Sequence, residues 1–281
     1  MSDPDEQSVL LSAAVRLAER GGQIAARRIG QARTTRKADR TFLTQVDAEI
    51  QEALLDVIAE AFAHHAVLAE EDIVRPARHV AIDRAEYCWV IDPLDGTRNF
   101  SRALPVFATA VAVMREGWPV VGAVCNAMTG QVFAASAGSG ATLDGQPIRV
   151  RDGAVGPDTM IAVRGRSGQP APPAIHRWAD RYVLRNVGAA ALHLAFVAMG
   201  ALDAAYNAQC KLWDLAAGYL LVTEAGGVMT TPRGEPLFPR LPSAYRGEEM
   251  GFLAAGPTLH AHLLPDAQAG EVVKPGSTRD T

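Results

Sequence analysis

The chain has 281 residues, 48% of them apolar and 21% charged, with a formal net charge of −4. That length suits one large domain or two closely packed halves, and the composition is that of an ordinary soluble globular protein. No basic excess offers a footprint for nucleic acid or for an anionic membrane surface.

Residues 8 to about 29 carry Leu10, Leu11, Ala14, Val15, Leu17, Ala18, Ile24 and Ala25 at helical spacing, which predicts a scaffold helix interrupted but not stopped by Gly21-Gly22. The charged, turn-prone residues 31–41 predict a mobile loop. Asp47 then stands where it would cap a second helix, Ala48 to Phe62, whose Ile50, Leu54, Val57, Ile58 and Ala61 recur at three and four. Ala66 to Ala69 is a short apolar strand ending in Glu70, Glu71 and Asp72. An acid at such a strand end can join acids delivered by a neighbouring strand. Residues 73–86 form a charged connection of no evident chemistry.

The next stretch organises the rest of the chain. Tyr87 to Ile91 predicts a buried strand that delivers Asp92 and Asp95 into a turn punctuated by Pro93 and Gly96. Thr97 and Asn99 follow where a short helix can start, which leaves the amides of Gly96 and Thr97 free to hold an anion. Acids for a metal beside amides for a phosphate make a phosphoryl-transfer site. Taken alone, Asp-Pro-x-Asp-Gly also reads as an ordinary turn after a strand.

From Val106 to Val150 the pattern is a meander, with strands at 107–115, 120–125, 131–136 and 148–150, so the first half should be a largely antiparallel sheet flanked by the two early helices. Glycine and proline around 151–157 mark a boundary, dividing the chain into 1–155, 156–266 and a polar tail, 267–281, expected to be disordered. The second half alternates as α/β units: strand 160–163, helix 174–180, strand 182–186, helix 189–199, strand 202–206, a helix from Trp213, then a last strand near Phe252 and helix 257–264.

Cys88, Cys125 and Cys210 are odd in number and far apart, which fits a reducing cytoplasm and neither a disulfide framework nor a zinc site. There is no run of eighteen apolar residues, and the polar start does not read as a signal peptide, so a cytoplasmic protein is expected. The seven histidines are scattered and read as ordinary surface or core residues. Neither G-x-S-x-G nor a P-loop occurs.

Two long runs carry a family resemblance. Trp89-Val-Ile-Asp-Pro-Leu-Asp-Gly-Thr-Arg-Asn-Phe100 resembles the first signature of the inositol monophosphatase family, and Trp213-Asp-Leu-Ala-Ala-Gly-Tyr-Leu-Leu-Val-Thr-Glu-Ala-Gly-Gly227 is similar to its second. Lys37 to Asp47 resembles the family's K-x-D-x-[ST]-x-[VL]-T-x-x-D segment. Ala69-Glu70-Glu71 resembles its G-E-E element, with alanine where the family usually has glycine. The resemblance spans about residues 8–264. It implies a layered αβαβα sandwich, lithium-sensitive magnesium-dependent phosphatase activity on a small phosphate monoester, and commonly a homodimer. It leaves inositol monophosphate, histidinol phosphate, 3′,5′-bisphosphate nucleotides and fructose bisphosphate open as substrates. One branch also leaves open a non-catalytic regulator that binds RNA or polymerase.

The resemblance further implies residue roles. Glu70, Asp92, the Leu94 carbonyl, Asp95 and Asp214 would hold two or three magnesium ions; hard oxygen ligands select magnesium over zinc. Thr97 and Asp47 would orient an attacking water and take its proton, while Gly96 and Thr97 amides hold the phosphoryl oxygens. Gly188-Ala189-Ala190 falls on the family's substrate loop. Asn207 falls where inositol-specific members carry a glutamate. For Asp214, as for Asp47, helix capping is the alternative reading.

Overall fold

The structure, a computed structural model, describes residues 4–31, 34–36, 42–70, 81–164 and 170–269. The elements run α1 (Pro4–Arg28), β1 (Thr34–Arg36), β2 (Phe42–Thr44), α2 (Gln45–Ala61), β3 (Ala66–Ala69), β4 (Tyr87–Asp95), α3 (Thr97–Phe100), β5 (Ala108–Arg115), β6 (Trp118–Asn126), β7 (Val132–Ser136), β8 (Gly140–Leu143) and β9 (Gln146–Ile148) in the first half. The second half adds β10 (Met160–Arg164), α4 (Pro173–Ala179), β11 (Val183–Arg185), α5 (Ala190–Ala198), β12 (Ala204–Cys210), α6 (Leu212–Glu224), β13 (Val228–Thr230), β14 (Met250–Ala255) and α7 (Pro257–Gln268).

These elements stack as the αβαβα sandwich. A seven-stranded sheet runs β3 to β9 in chain order, antiparallel except for the parallel pair β3–β4; a five-stranded sheet has the order β11-β10-β12-β14-β13. The apolar faces of α1 and α2 cover one face of the larger sheet, with Leu10, Leu17, Ile50 and Leu54 against Trp89, Ile91 and Val111. Helices α5 and α6 are apolar almost all round, which requires burial on both sides. They lie between the two sheets in a core that draws residues from both halves of the chain. The outer face of the smaller sheet is closed by α4 and α7 through Trp178, Tyr206, Leu259 and Leu263.

Several sequence expectations are corrected. Gly21-Gly22 does not interrupt α1. At this pair the helix lies close against the sheet: a Cβ on Gly21 would stand 2.5 Å from Thr109 Oγ1, and one on Gly22 2.6 Å from Cys125 Sγ. Within residues 31–41, predicted as a loop, Thr34–Arg36 instead pairs antiparallel with Phe42–Thr44; Lys37 lies outside the described residues, as do Glu71 and Asp72. The meander has an additional hairpin, β8–β9, turning at Asp144-Gly145, and the expected strand at 148–150 is its end. The strand predicted at 202–206 runs on through Asn207 to Cys210, and β13 was not foreseen. Helix α7 continues to Gln268, and most of the predicted tail, 270–281, lies outside the described residues.

Candidate active site

The most informative departure is in β4. The acids were expected beyond the strand, in a turn, but the strand continues through both. Asp92 pairs with Ala110 and Asp95 with Ala108, with a register shift between them. Proline has no amide hydrogen for the ladder, so Pro93 is accommodated as a bulge, and its carbonyl instead accepts a 2.9 Å hydrogen bond from Thr109 Oγ1.

The bulge has a consequence for which way the acids face. Up to Ile91 the strand alternates: Tyr87, Trp89 and Ile91 face α1 and α2, while Cys88 and Val90 face α5 and α6. Asp92 continues the second set. Strict alternation would send Leu94 to the α5/α6 side and Asp95 to the other, yet Leu94 packs on the α1/α2 side. The parity flip brings Asp95 round to the face of Asp92, where its Oδ2 accepts the Ala191 amide of α5 at 2.7 Å.

Asp214 arrives from α6 on the same side. It occupies the third position of the helix and not the cap, and its Oδ2 accepts the Lys211 amide at 2.7 Å in a capping box. Tyr245 steadies this end: its hydroxyl accepts the Leu212 amide and donates to the Glu248 carbonyl. Carboxylate oxygens of Asp92, Asp95 and Asp214 all lie within 4.8 Å of one another. Glu70, half-buried at the end of β3 beside β4, is outside that trio but close enough for its charge to act on Asp92.

Three acids this close in a dry setting resist ionisation. Burial pushes the Asp92 carboxyl well above its usual range, and the charges of Glu70, Asp95 and Asp214 add to the effect. Burial and then Asp214 push Asp95 up to about 7, against the opposing pull of Arg164 and the Ala191 and Ala190 amides. Asp214 is also raised by burial, less so because the Lys211 amide, Arg164 and Lys211 favour its charge. Asp92 and Asp214 act directly on each other's ionisation, Asp214 raising Asp92. A donor set of clustered carboxylate oxygens that repel one another in so small a space fits a hard divalent metal such as magnesium.

Beside the trio, Thr97 Oγ1 stands 2.9 Å from the Leu94 carbonyl and 3.2 Å from Asp47 Oδ1. Asp47 is buried at the third position of α2, inside the helix and not at the cap position itself. Gly96 enters the single turn of α3 at φ 92°, with Val106 O only 3.0 Å from where a Cβ would be. Gly188, at φ 79°, lies so close to Asn99 that a Cβ would approach its side chain to 2.8 Å. Ala189 and Ala190 are fully buried where α5 begins. The expected substrate loop therefore abuts the site, with the amides that follow it turned to Asp95. Asn207 is also fully buried.

Sequence reasoning missed three residues. Asn99 Nδ2 donates to the carbonyls of Val106 and Val187, both at 2.7 Å, tying the first signature to the loop before α5. Its place in the signature was visible, but not its partners. Arg164 and His193 were overlooked because nothing local marks them; the register of β10 on β12 brings Arg164 near the acids, and the position of α5 brings His193 near Arg164. Conversely, Glu224 of the second signature is structural, accepting the Gly138 and Gly140 amides at 2.8 and 2.9 Å.

Comparison with known proteins assigns the chain to a family and supports its fold. The profile of the inositol monophosphatase family matches residues 6–270. A protein named Nus factor SuhB from Salmonella typhimurium strain LT2 is 33% identical over 236 residues, covering 79% of this chain and 84% of that one. Among solved structures, an IMPase from Thermotoga maritima superposes with a TM-score of 0.81 at 25% identity, covering 93% of this chain and 97% of that one. An inositol monophosphatase from Anabaena gives 0.78 at 26%, covering 95% and 98%. The chain belongs to the inositol monophosphatase family.

Proposed function

We propose that the protein is a magnesium-dependent phosphatase that hydrolyses a small-molecule phosphate monoester by direct attack of water. The observation that carries this reading is the convergence of Asp92, Asp95 and Asp214, two from β4 and one from α6 more than a hundred residues on, beside the Thr97–Asp47 pair. Glu70 and the Leu94 carbonyl complete the donor set. Magnesium held there supplies an activated water and neutralises charge on the ester and its leaving oxygen.

The protein's own groups do the rest. Thr97 Oγ1 accepts the proton of the attacking water as its own hydrogen passes to Asp47, whose buried position keeps it from competing solvent. The Leu94 carbonyl fixes the Thr97 rotamer. Gly96 and Thr97 amides take the phosphoryl oxygens, and the loop at Gly188, Ala189 and Ala190 with Asn207 faces the alcohol. No side-chain nucleophile is required, since water is the attacking group. Inositol monophosphate, histidinol phosphate and bisphosphate nucleotides are the ester classes to compare.

A second reading draws on the relatives named Nus factor SuhB: a regulator that binds RNA or polymerase and need not turn over an ester. The intact acid trio favours catalysis. Phosphate release from a panel of monoesters, with magnesium and with a chelator, separates the two. Turnover that needs magnesium is expected; its absence on every ester leaves the regulator.

A further inference from the structure

The face of β10 and β12 that looks toward α5 and α6 ends in a group of donors with no acceptor among the described residues. Along β10, Ile161 and Val163 pack outward against α4 and α7 while Ala162 packs inward; along β12, Ala204 and Tyr206 are outward and Ala205 inward. The same alternation turns Arg164 and Asn207 inward, and the two are direct register partners. Among the described residues, no carboxylate lies within ion-pair distance of the half-buried Arg164 guanidinium and no hydrogen bond holds it.

Its neighbours are in the same condition. Asn207 Oδ1 accepts the Gln209 amide at 3.1 Å, which identifies the other atom as nitrogen, and that Nδ2 is buried without a partner. His193 Nε2 accepts the Val187 amide at 3.1 Å, which places the hydrogen on Nδ1, also buried without a partner. His193 and the acids both lie within the electrostatic reach of Arg164.

Unpaired buried donors are costly, each leaving a desolvated polar group unsatisfied. A permanent cation among them is costlier still. Simple neutralisation of the acid trio would explain the cation had it closed onto Asp95 or Asp214, but it has not. Nor does it explain the orphaned amide and imidazole beside it. A neutral polyol would need acceptors as well as donors around its hydroxyls, and an ammonium-bearing alcohol would meet repulsion. An anion satisfies all three donors at once.

We infer that Arg164, Asn207 and His193 bind a second anionic group, carboxylate or phosphate, carried by the alcohol portion of the ester. This rests on the phosphatase reading for the identity of the first anion, and it makes the preferred substrate a compound with two negatively charged ends. Asn207 thereby reads as a donor to an anion and not as a weakened contact to a ring hydroxyl. Arg164 is a specificity determinant, since the bond that breaks is at the other end of the molecule.

The test compares esters that differ only in the distal group, with magnesium present: glycerol 3-phosphate against 3-phosphoglycerate for a carboxylate, and propane-1,3-diol monophosphate against its bisphosphate for a phosphate. The ratio of kcat/KM, anionic over neutral, should be on the order of tenfold or more in the wild type, as charge-assisted bonds to a half-buried arginine allow. It should fall to near one in Arg164→Gln and be partly kept in Arg164→Lys. Which pair shows the larger ratio distinguishes carboxylate from phosphate. A ratio near one in the wild type, or an Arg164→Gln enzyme that loses activity equally on both members of each pair, overturns the inference and leaves Arg164 as a counter-charge to the acids. If no ester is turned over, the phosphatase reading alone has failed; calorimetric dissociation constants for the same pairs, wild type against Arg164→Gln, then decide the anion site separately.

Discussion

The acid trio should give the metal-free protein an inverted dependence of stability on pH. Asp95 ionises near 3.8 in an unfolded chain and is raised to about 7 in the fold. A raised carboxyl means the folded state holds its proton longer, so its contribution is fully present below the unfolded value and is lost as pH rises through the folded one. From Asp95 alone, the loss between pH 5 and pH 8 is on the order of 3 kcal/mol. For a chain of this length that corresponds to about 5 °C in Tm. Asp92 and Asp214 are shifted the same way and add to it. The assay is thermal melting of chelator-treated protein at the two pH values, wild type beside Asp95→Asn, which cancels titrations elsewhere. The wild type should lose more stability than the variant as pH rises. Magnesium should raise Tm, and more at pH 8 than at pH 5, where protons compete for the same oxygens. A wild-type Tm that is level or rises with pH relative to the variant, or a magnesium effect equal at both, refutes the reasoning.

Four further outcomes are expected. Asp92→Asn should retain its circular dichroism and magnesium-independent fold but keep less than about a tenth of wild-type turnover, within the 10²–10⁴ range for a positioned catalytic group. Thr97→Ala should lower kcat with little change in KM, because its hydroxyl acts on the attacking water; an effect confined to KM would make it a phosphate contact. Gly218→Ala should cost about 1–3 kcal/mol in urea unfolding by overpacking α5 against α6, since its Cβ would stand 2.4 Å from Leu194 Cδ1 and 2.6 Å from Leu194 Cβ. Asn207→Glu should pair with Arg164 and raise the rate on inositol 1-phosphate relative to esters bearing a second anion; an unchanged ranking would remove Asn207 from the pocket.

Much of this was written locally. Helical spacing in residues 8–29 and 48–62, the apolar run before Asp92 and the apolar helix after Trp213 each declare their structure through short-range periodicity, whereas the layered fold was implied by the family resemblance. The identities of the acids were also visible, because the two signature runs place unusual residues at fixed spacing. Local reasoning failed where the competing forces were not local. It read Gly21-Gly22 as a weakness in a helix, whereas the missing side chains let α1 approach β5 and β6. For Asp47 and Asp214 capping stood as the alternative reading, because it is the commonest use of an acid near a helix start; a hydroxyl partner for one and a place at the third helical position for the other were decided by packing.

The sequence by itself determined which groups are available: two carboxylates after an apolar strand, a threonine and glycine beside them, and a third acid at the head of an apolar helix. Only the tertiary structure decided how they face one another. Pro93 could have ended the strand or bulged it, and the choice rests on whether β5 continues alongside to pair with Asp95. That choice turns Asp95 onto the same side as Asp92, where α6 can bring Asp214. The juxtaposition of Arg164 with Asn207 likewise exists only through the pairing of β10 with β12. Periodicity is a property of neighbours along the chain, whereas the electrostatics of a site depend on distances through space, and those are set by which surfaces must be buried against each other.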